Sequence, residues 1–207
     1  MSGERIDWRQ LAPQRWKNGA GLTRELAVEP AGASMDDFDW RISVAEVEQD
    51  APFSAFAGVD RCIALLDGAG MTLRSADGAA VRRLDRVGEP FRFAGEMPLV
   101  AELVDGPCED FNVMVRRAAH EAHVTPLRQP GTLEAAPAGM LVCLSGRWKC
   151  DGSTLERGQA LLWRRGMPRV SVQPQASPAL ALAVHLYRSP GATRDAAIPG
   201  CTRATNT

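Results

Sequence analysis

Apolar residues in this chain come in short runs that alternate with polar ones and stop at glycine, proline or a charged turn. That is a period of two rather than the 3.6 of a helix. The pattern predicts strands at 22–28, 40–47, 61–66, 71–74, 90–93, 99–103, 111–116, 140–144, 160–163 and 179–187, with few helices. One stretch is used twice. Leu65-Leu66-Asp67-Gly68, followed by Leu84 and then Gly88-Glu89-Pro90-Phe91-Arg92-Phe93, returns as Cys143-Leu144-Ser145-Gly146, followed by Leu155 and then Gly158-Gln159-Ala160-Leu161-Leu162-Trp163. Each copy reads as strand, glycine turn, strand, glycine turn, strand. The expected fold is therefore all-β: two β-sandwich or barrel repeats in one compact chain, with an interior able to hold a small molecule.

The stretch 118–139 contains Pro126, Pro130 and Pro137 and shows little periodicity, so it reads as the connection between a first repeat at 1–117 and a second at 140–188. Residues 189–207 turn to Ser, Pro, Gly, Ala, Thr and Asn and read as a loose tail with no face to bury.

Composition narrows the functional classes. A chain of 207 residues, 45% of them hydrophobic, is long enough for one sizeable core or two joined ones. With 24 basic against 25 acidic residues there is no basic field for a phosphate backbone, so nucleic acid is not an expected partner. The polar start lacks the apolar segment of a secretory signal, and the longest apolar run, 179–184, is too short to span a bilayer. A cytoplasmic protein without a membrane partner is the expectation. The cysteines Cys62, Cys108, Cys143, Cys150 and Cys201 are odd in number and form no CxxC pair, which suits reduced structural thiols.

Strand phase identifies polar residues that share a face with apolar ones. Arg61 lies in phase with Ile63 and Leu65 and points where they point, near a rim where a guanidinium could reach an anion; an arginine snorkelling from a sheet edge has the same phase. In 40–47, Trp40, Ile42 and Val44 share one face and Arg41 and Ser43 the other. The larger hydrophobes place Arg41 and Ser43 toward solvent, unless their face lines a polar cavity. Asn112 and Met114 are in phase against Phe111, Val113 and Val115, which suits a ligand face or a half-buried sheet edge. Thr23 and Glu25 share a face, opposite Leu22, Arg24 and Leu26. Before them, Lys17-Asn18-Gly19-Ala20-Gly21 must turn, and such a turn either aims backbone N–H groups at an anion or simply reverses the chain.

Several chemistries fail on inventory. The three histidines, His120, His123 and His185, form no H-x-H strand pair; the first two read as surface residues of the connection and the third as a satisfied strand histidine. No GxSxG elbow, P-loop or Rossmann fingerprint is present. No catalytic residue, metal ligand or cofactor is assigned.

Four ordered segments carry a resemblance: Arg15-Trp16-Lys17-Asn18-Gly19-Ala20-Gly21-Leu22-Thr23-Arg24-Glu25; Phe38-Asp39-Trp40-Arg41-Ile42-Ser43-Val44-Ala45; Pro52-Phe53-Ser54-x-Phe56-x-Gly58-Val59-Asp60-Arg61; and Asp105-Gly106-Pro107-x-x-Asp110-Phe111-Asn112-Val113-Met114. Together they resemble the HutD/Ves family of cupin-like proteins, and the second repeat looks like that family's looser C-terminal half. Ala20 departs from the pattern, which usually has a third glycine there. The resemblance implies a metal-free bicupin associated with histidine utilisation, sensing or buffering an intermediate rather than catalysing a step. Urocanate, formiminoglutamate and formylglutamate are then the candidate ligands. Carried over by motif position, the pocket candidates are Lys17, Asn18, Thr23, Glu25, Arg41, Ser43, Phe56, Arg61 and Asn112, with Arg41 and Arg61 facing carboxylates.

The expected function is thus non-enzymatic binding of a small anionic metabolite. The alternative is a metal-independent isomerase or hydrolase acting on a related acid, with Glu25 as proton acceptor and Arg61 holding the substrate. A third reading is a protein-interaction module with a vestigial pocket. Exposed strand edges are of a kind that pairing would cover, so a homodimer is a further expectation.

Overall fold

Alternation along the chain becomes nineteen strands and one short 3-10 turn, Trp8–Gln10, in a computed structural model that describes residues 3–190. The strands are β1 Glu4–Asp7, β2 Gln14–Arg15, β3 Gly21–Glu29, β4 Trp40–Val47, β5 Ala51–Pro52, β6 Val59–Asp67, β7 Met71–Ser75, β8 Ala80–Leu84, β9 Phe91–Ala94, β10 Leu99–Leu103, β11 Cys108–Arg116, β12 His120–Leu127, β13 Gly131–Leu133, β14 Ala138–Ser145, β15 Arg147–Cys150, β16 Ser153–Glu156, β17 Gln159–Trp163, β18 Val170–Pro174 and β19 Leu180–Arg188. Every run expected from alternation lies within a strand or overruns it by one residue. No described helix is long and apolar enough to cross a membrane.

The strands form four open sheets. A first large sheet runs β2-β3-β4-β11-β6-β9 and faces a first small sheet, β5-β10-β7-β8. A second large sheet runs β12-β19-β14-β17-β1 and faces a second small sheet, β13-β18-β15-β16. Adding eight to each strand number turns β4-β11-β6-β9 into β12-β19-β14-β17, and β5-β10-β7-β8 into β13-β18-β15-β16. The duplication is therefore topological and runs from β4 to β11 and again from β12 to β19.

This corrects two expectations. The segment 118–139 is not a bare connection; it supplies β12 and β13, the first two strands of the second unit. β12 escaped the alternation pattern because it is an edge strand, exposed on much of its length and carrying Pro126, which only an edge position tolerates. The N-terminal β1 does not join the first unit either; it pairs with β17 in the second large sheet. The expected tail at 189–207 falls almost wholly outside the described residues.

Four layers follow, with the two large sheets back to back. Trp40, Ile42, Val44, Cys62, Ala64, Phe111 and Val113 on one side meet Met140, Val142, Leu144, Leu162, Leu182 and Val184 on the other. Because side chains alternate, the opposite phase of each large sheet faces its own small sheet: Ile63 and Leu65 pack on Met71, Leu73 and Leu99, while Leu141, Cys143 and Leu161 pack on Trp148, Leu155 and Val172. Both faces of the central strands are thus internal. The echoed turn glycines Gly68, Gly88, Gly146 and Gly158 all have positive φ, the backbone state that makes glycine the residue of choice at those four turns.

Candidate functional site

Three neighbouring strands of the first large sheet build the floor of a cavity. Their register sets Arg41 (β4), Met114 (β11) and Arg61 (β6) in one row, Ser43, Asn112 and Ile63 in the next, and Ala45, Asp110 and Leu65 in a third. All point toward the first small sheet, the face opposite Trp40, Ile42 and Val44. The cavity encloses about 460 Å³, with walls from the 14–18 hairpin segment, Met35 and the 52–56 loop.

Arg61 is 8% exposed, and its buried Nε has no hydrogen-bond partner among the described residues. Its guanidinium lies 4.8 Å from the Phe53 ring centre, 5.1 Å from Phe93 and 5.8 Å from Phe56, an aromatic surround that attracts a cation without satisfying its N–H donors. Burial pulls this arginine down to about 10, while the Asp110 carboxylate acts to hold it up and Arg41 adds to the lowering.

Arg41 differs. Its Nε donates to Glu25 Oε2 at 2.8 Å and its Nη1 donates to Ser43 Oγ at 3.3 Å, so it enters the cavity wall already held.

Asp110, 3% exposed, accepts no hydrogen bond from a described residue. Burial pushes its carboxyl up to about 7, with Arg61 opposing the shift and Glu109 adding to it. Asn112 Oδ1, between the two arginines and Asp110, is also buried without a partner. The floor therefore holds one uncommitted buried cation and two uncommitted acceptors.

The β2–β3 hairpin closes one end. Gly19 N donates to Trp16 O at 3.0 Å, Ala20 N donates to Asn18 Oδ1 at 3.1 Å, and Trp16 Nε1 donates to Thr23 Oγ1 at 2.8 Å. The amides of Gly19 and Ala20 are used inside the turn and are not available to an anion. Gly21 is required by close approach: a Cβ there would sit 2.2 Å from Glu46 O. Ala20 has no positive φ, so the methyl that departs from the family pattern meets no backbone penalty.

Of the nine residues singled out from the sequence, Lys17, Asn18, Thr23, Arg41, Phe56, Arg61 and Asn112 line the cavity. Glu25 and Ser43 are not among its lining residues; both hydrogen-bond Arg41. Glu25 keeps the phase of Thr23, pairing with Ser43 as Thr23 pairs with Ala45, but it is exposed and its carboxylate is taken up by Arg41. Arg41 and Ser43 are buried rather than solvent-facing. Sequence reasoning missed Asp110, although it lies in phase with Asn112 and Met114, and Phe53, which sits in a loop where no phase applies.

The second unit carries other side chains at the equivalent positions. In equivalent register, Arg41, Met114 and Arg61 become His123, His185 and Gly139; Ser43, Asn112 and Ile63 become Thr125, Ala183 and Leu141; Ala45, Asp110 and Leu65 become Leu127, Ala181 and Cys143. Where Arg61 enters the first cavity, Gly139 leaves room that Met167 fills, its sulfur 2.7 Å from the position of a Cβ. His123 is exposed and contacts Glu121 at 2.8 Å. His120 is half-buried with Nδ1 unpartnered rather than on the surface, and His185 is half-buried, with a backbone hydrogen bond at Glu134 but Nε2 unpartnered, so it is satisfied only in part. Burial pushes both below the usual histidine range. Among the described residues no three His, Cys, Asp or Glu side chains cluster to hold a metal ion. Cys62, Cys108, Cys143 and Cys150 are buried free thiols, pushed up to between about 11 and about 12 by burial; Cys201 lies outside the described residues.

Residues 9–182 match the sequence pattern of the HutD family. The chain belongs to that family. Protein Ves of Cronobacter sakazakii is 37% identical over 164 residues, covering 79% of this chain and 88% of that protein. HutD from Pseudomonas fluorescens SBW25 superposes with a TM-score of 0.79 at 26% identity, over 90% of this chain and 98% of that one. A cupin 2 conserved barrel protein from Leptotrichia buccalis, 9% identical, has a TM-score of 0.56 over 91% of this chain and 98% of its own, a likeness of fold alone.

Proposed function

We propose that this HutD-family protein binds a small carboxylic acid in the first cavity without transforming it, with Arg61 as the anchor. The observation that supports the reading is the unpartnered Arg61 guanidinium: a buried cation lacking a hydrogen-bond acceptor is unfavourable in the free protein, and a carboxylate would supply that acceptor. Arg41, already oriented by Glu25 and Ser43, stands across Met114 as a second contact for the same or another carboxylate. Family membership favours an intermediate of histidine utilisation, with urocanate, formiminoglutamate and formylglutamate as candidates and sensing or buffering as the role.

In this reading the chain is a bicupin whose two topological units have diverged. The first retains a polar interior; the second, packed with Trp148, Leu155 and Met167, closes and supports it. Isothermal titration with the three acids tests the proposal. Heat with at least one is expected, and none at millimolar ligand rejects it.

An enzymatic alternative has one supporting feature, the raised Asp110 carboxyl inside the cavity. Glu25, the proton acceptor considered from sequence, is tied to Arg41 outside it. NMR of each acid incubated with the protein distinguishes the readings: turnover abolished by Asp110→Asn would favour the enzyme.

A further inference from the structure

The cavity floor is ordered by charge along the strand direction. Its first row carries Arg41 and Arg61, its second Asn112 and its third Asp110. Four residues separate Met114 from Asp110 on β11, about 14 Å of extended strand. Long arginine side chains reduce the span between charged tips to that of a small molecule. The guanidinium end calls for an anion, while the other end presents unmatched acceptors: a buried carboxyl that accepts no hydrogen bond from a described residue, and a buried amide oxygen without a partner. Lys17 lines the cavity from the hairpin but forms no ion pair with a described residue. An elongated acid bearing only carboxylates would satisfy the arginine end and leave Asp110 and Asn112 Oδ1 unmatched, a combination that penalises the wrong ligand strongly because buried polar groups stay unpaired.

We infer that the ligand of this cavity is a carboxylic acid that carries a strong N–H donor at its far end, of the amidinium or imidazole class, and that Asp110 with Asn112 reads that donor while Arg61 reads the carboxylate. The inference rests on the binding role proposed above and adds the second pole. It gives Asp110 a part that carboxylate binding alone does not supply: selection of nitrogen-bearing acids over plain dicarboxylates.

Three glutamate-sized probes separate the two claims, because they share both carboxylates and differ in the group on Cα, at the end away from the γ-carboxylate. Formiminoglutamate offers an amidinium, formylglutamate a neutral amide N–H, and glutarate no N–H at all. Titration of the wild-type protein should show affinity falling in that order, with formiminoglutamate at least tenfold tighter than glutarate. In Asp110→Asn, whose melting temperature confirms folding, formiminoglutamate should fall toward the affinity that glutarate shows for the wild type. Equal wild-type affinity for formiminoglutamate and glutarate overturns the second pole and leaves the Arg61 anchor standing. Discrimination that survives in Asp110→Asn overturns the assignment to Asp110. Absence of binding by all three and by urocanate removes the carboxylate reading itself.

Discussion

Arg41 and Arg61 stand on the two strands that flank Met114, at the same level of the sheet, and only Arg41 has a carboxylate partner. The row thus holds one arginine fixed by the protein and one left for something else. That asymmetry separates an arginine in an ion pair from one without a carboxylate partner within a single motif set.

Arg61→Met keeps the apolar stem against Phe53 and Phe93 and removes the charge. A charge-assisted hydrogen bond contributes about 1.5–3 kcal/mol, so carboxylate affinity should fall by roughly ten- to a hundredfold. The melting temperature should hold or rise, because an unpartnered buried cation is lost. Titration and thermal denaturation of the same variant check both halves; unchanged affinity removes Arg61 from the site.

Asp110 makes stability depend on pH. Its folded-state carboxyl lies near 7, above the ordinary value of 3.8, so the folded protein holds this proton more tightly than the unfolded chain. The protonated form carries no penalty at low pH, and stability is lost as pH rises from about 4 through about 7. Replacing Asp110 with Asn removes that loss, so the melting temperature of the variant relative to wild type should climb between pH 4.5 and pH 8. A difference that stays flat over this range contradicts the buried, unpartnered carboxyl.

The hairpin tip offers a paired test of two adjacent small residues. Gly21→Ala drives a methyl into the Glu46 carbonyl and should destabilise by at least about 1–3 kcal/mol while weakening ligand binding through displacement of Lys17 and Asn18. Ala20→Gly should lower stability by no more than about 1 kcal/mol, through the freer unfolded chain, and leave affinity unchanged. Urea denaturation of the two variants provides the comparison.

Met167→Ala empties the place beside Gly139 in the second unit. The expected loss is about 2–5 kcal/mol, the usual range for a buried methionine, with carboxylate affinity retained by the folded fraction. Affinity that drops while the fold persists would place the second unit in the binding event.

Much of the fold was legible because period-two alternation is a local property. The strands carrying Ile63 and Leu65 or Trp40, Ile42 and Val44 declare themselves wherever both faces are apolar or one is. β12 did not, since an edge strand with His120, His123 and Pro126 has no buried face to impose a pattern on most of its length. Phase marked Arg61, Asn112 and Met114 as candidates for an interior face without excluding a sheet edge, and the motif resemblance added Lys17, Asn18 and Arg41. It carried Glu25 along too, because phase puts Glu25 with Thr23 and does not reveal that its carboxylate is used by Arg41.

The residue pattern by itself determined an all-β chain, a duplicated strand unit and a polar interior confined to the first copy. Tertiary structure decided the rest. Back-to-back packing of the large sheets turned the Arg41 face inward, because covering Trp40, Ile42 and Val44 with the second unit left the small sheet to cover the other side. Register then set Arg61 and Asp110 at different levels of one floor without joining them as an ion pair. Strand pairing and side-chain partners are long-range choices, and they determine which of two arginines gains a carboxylate partner.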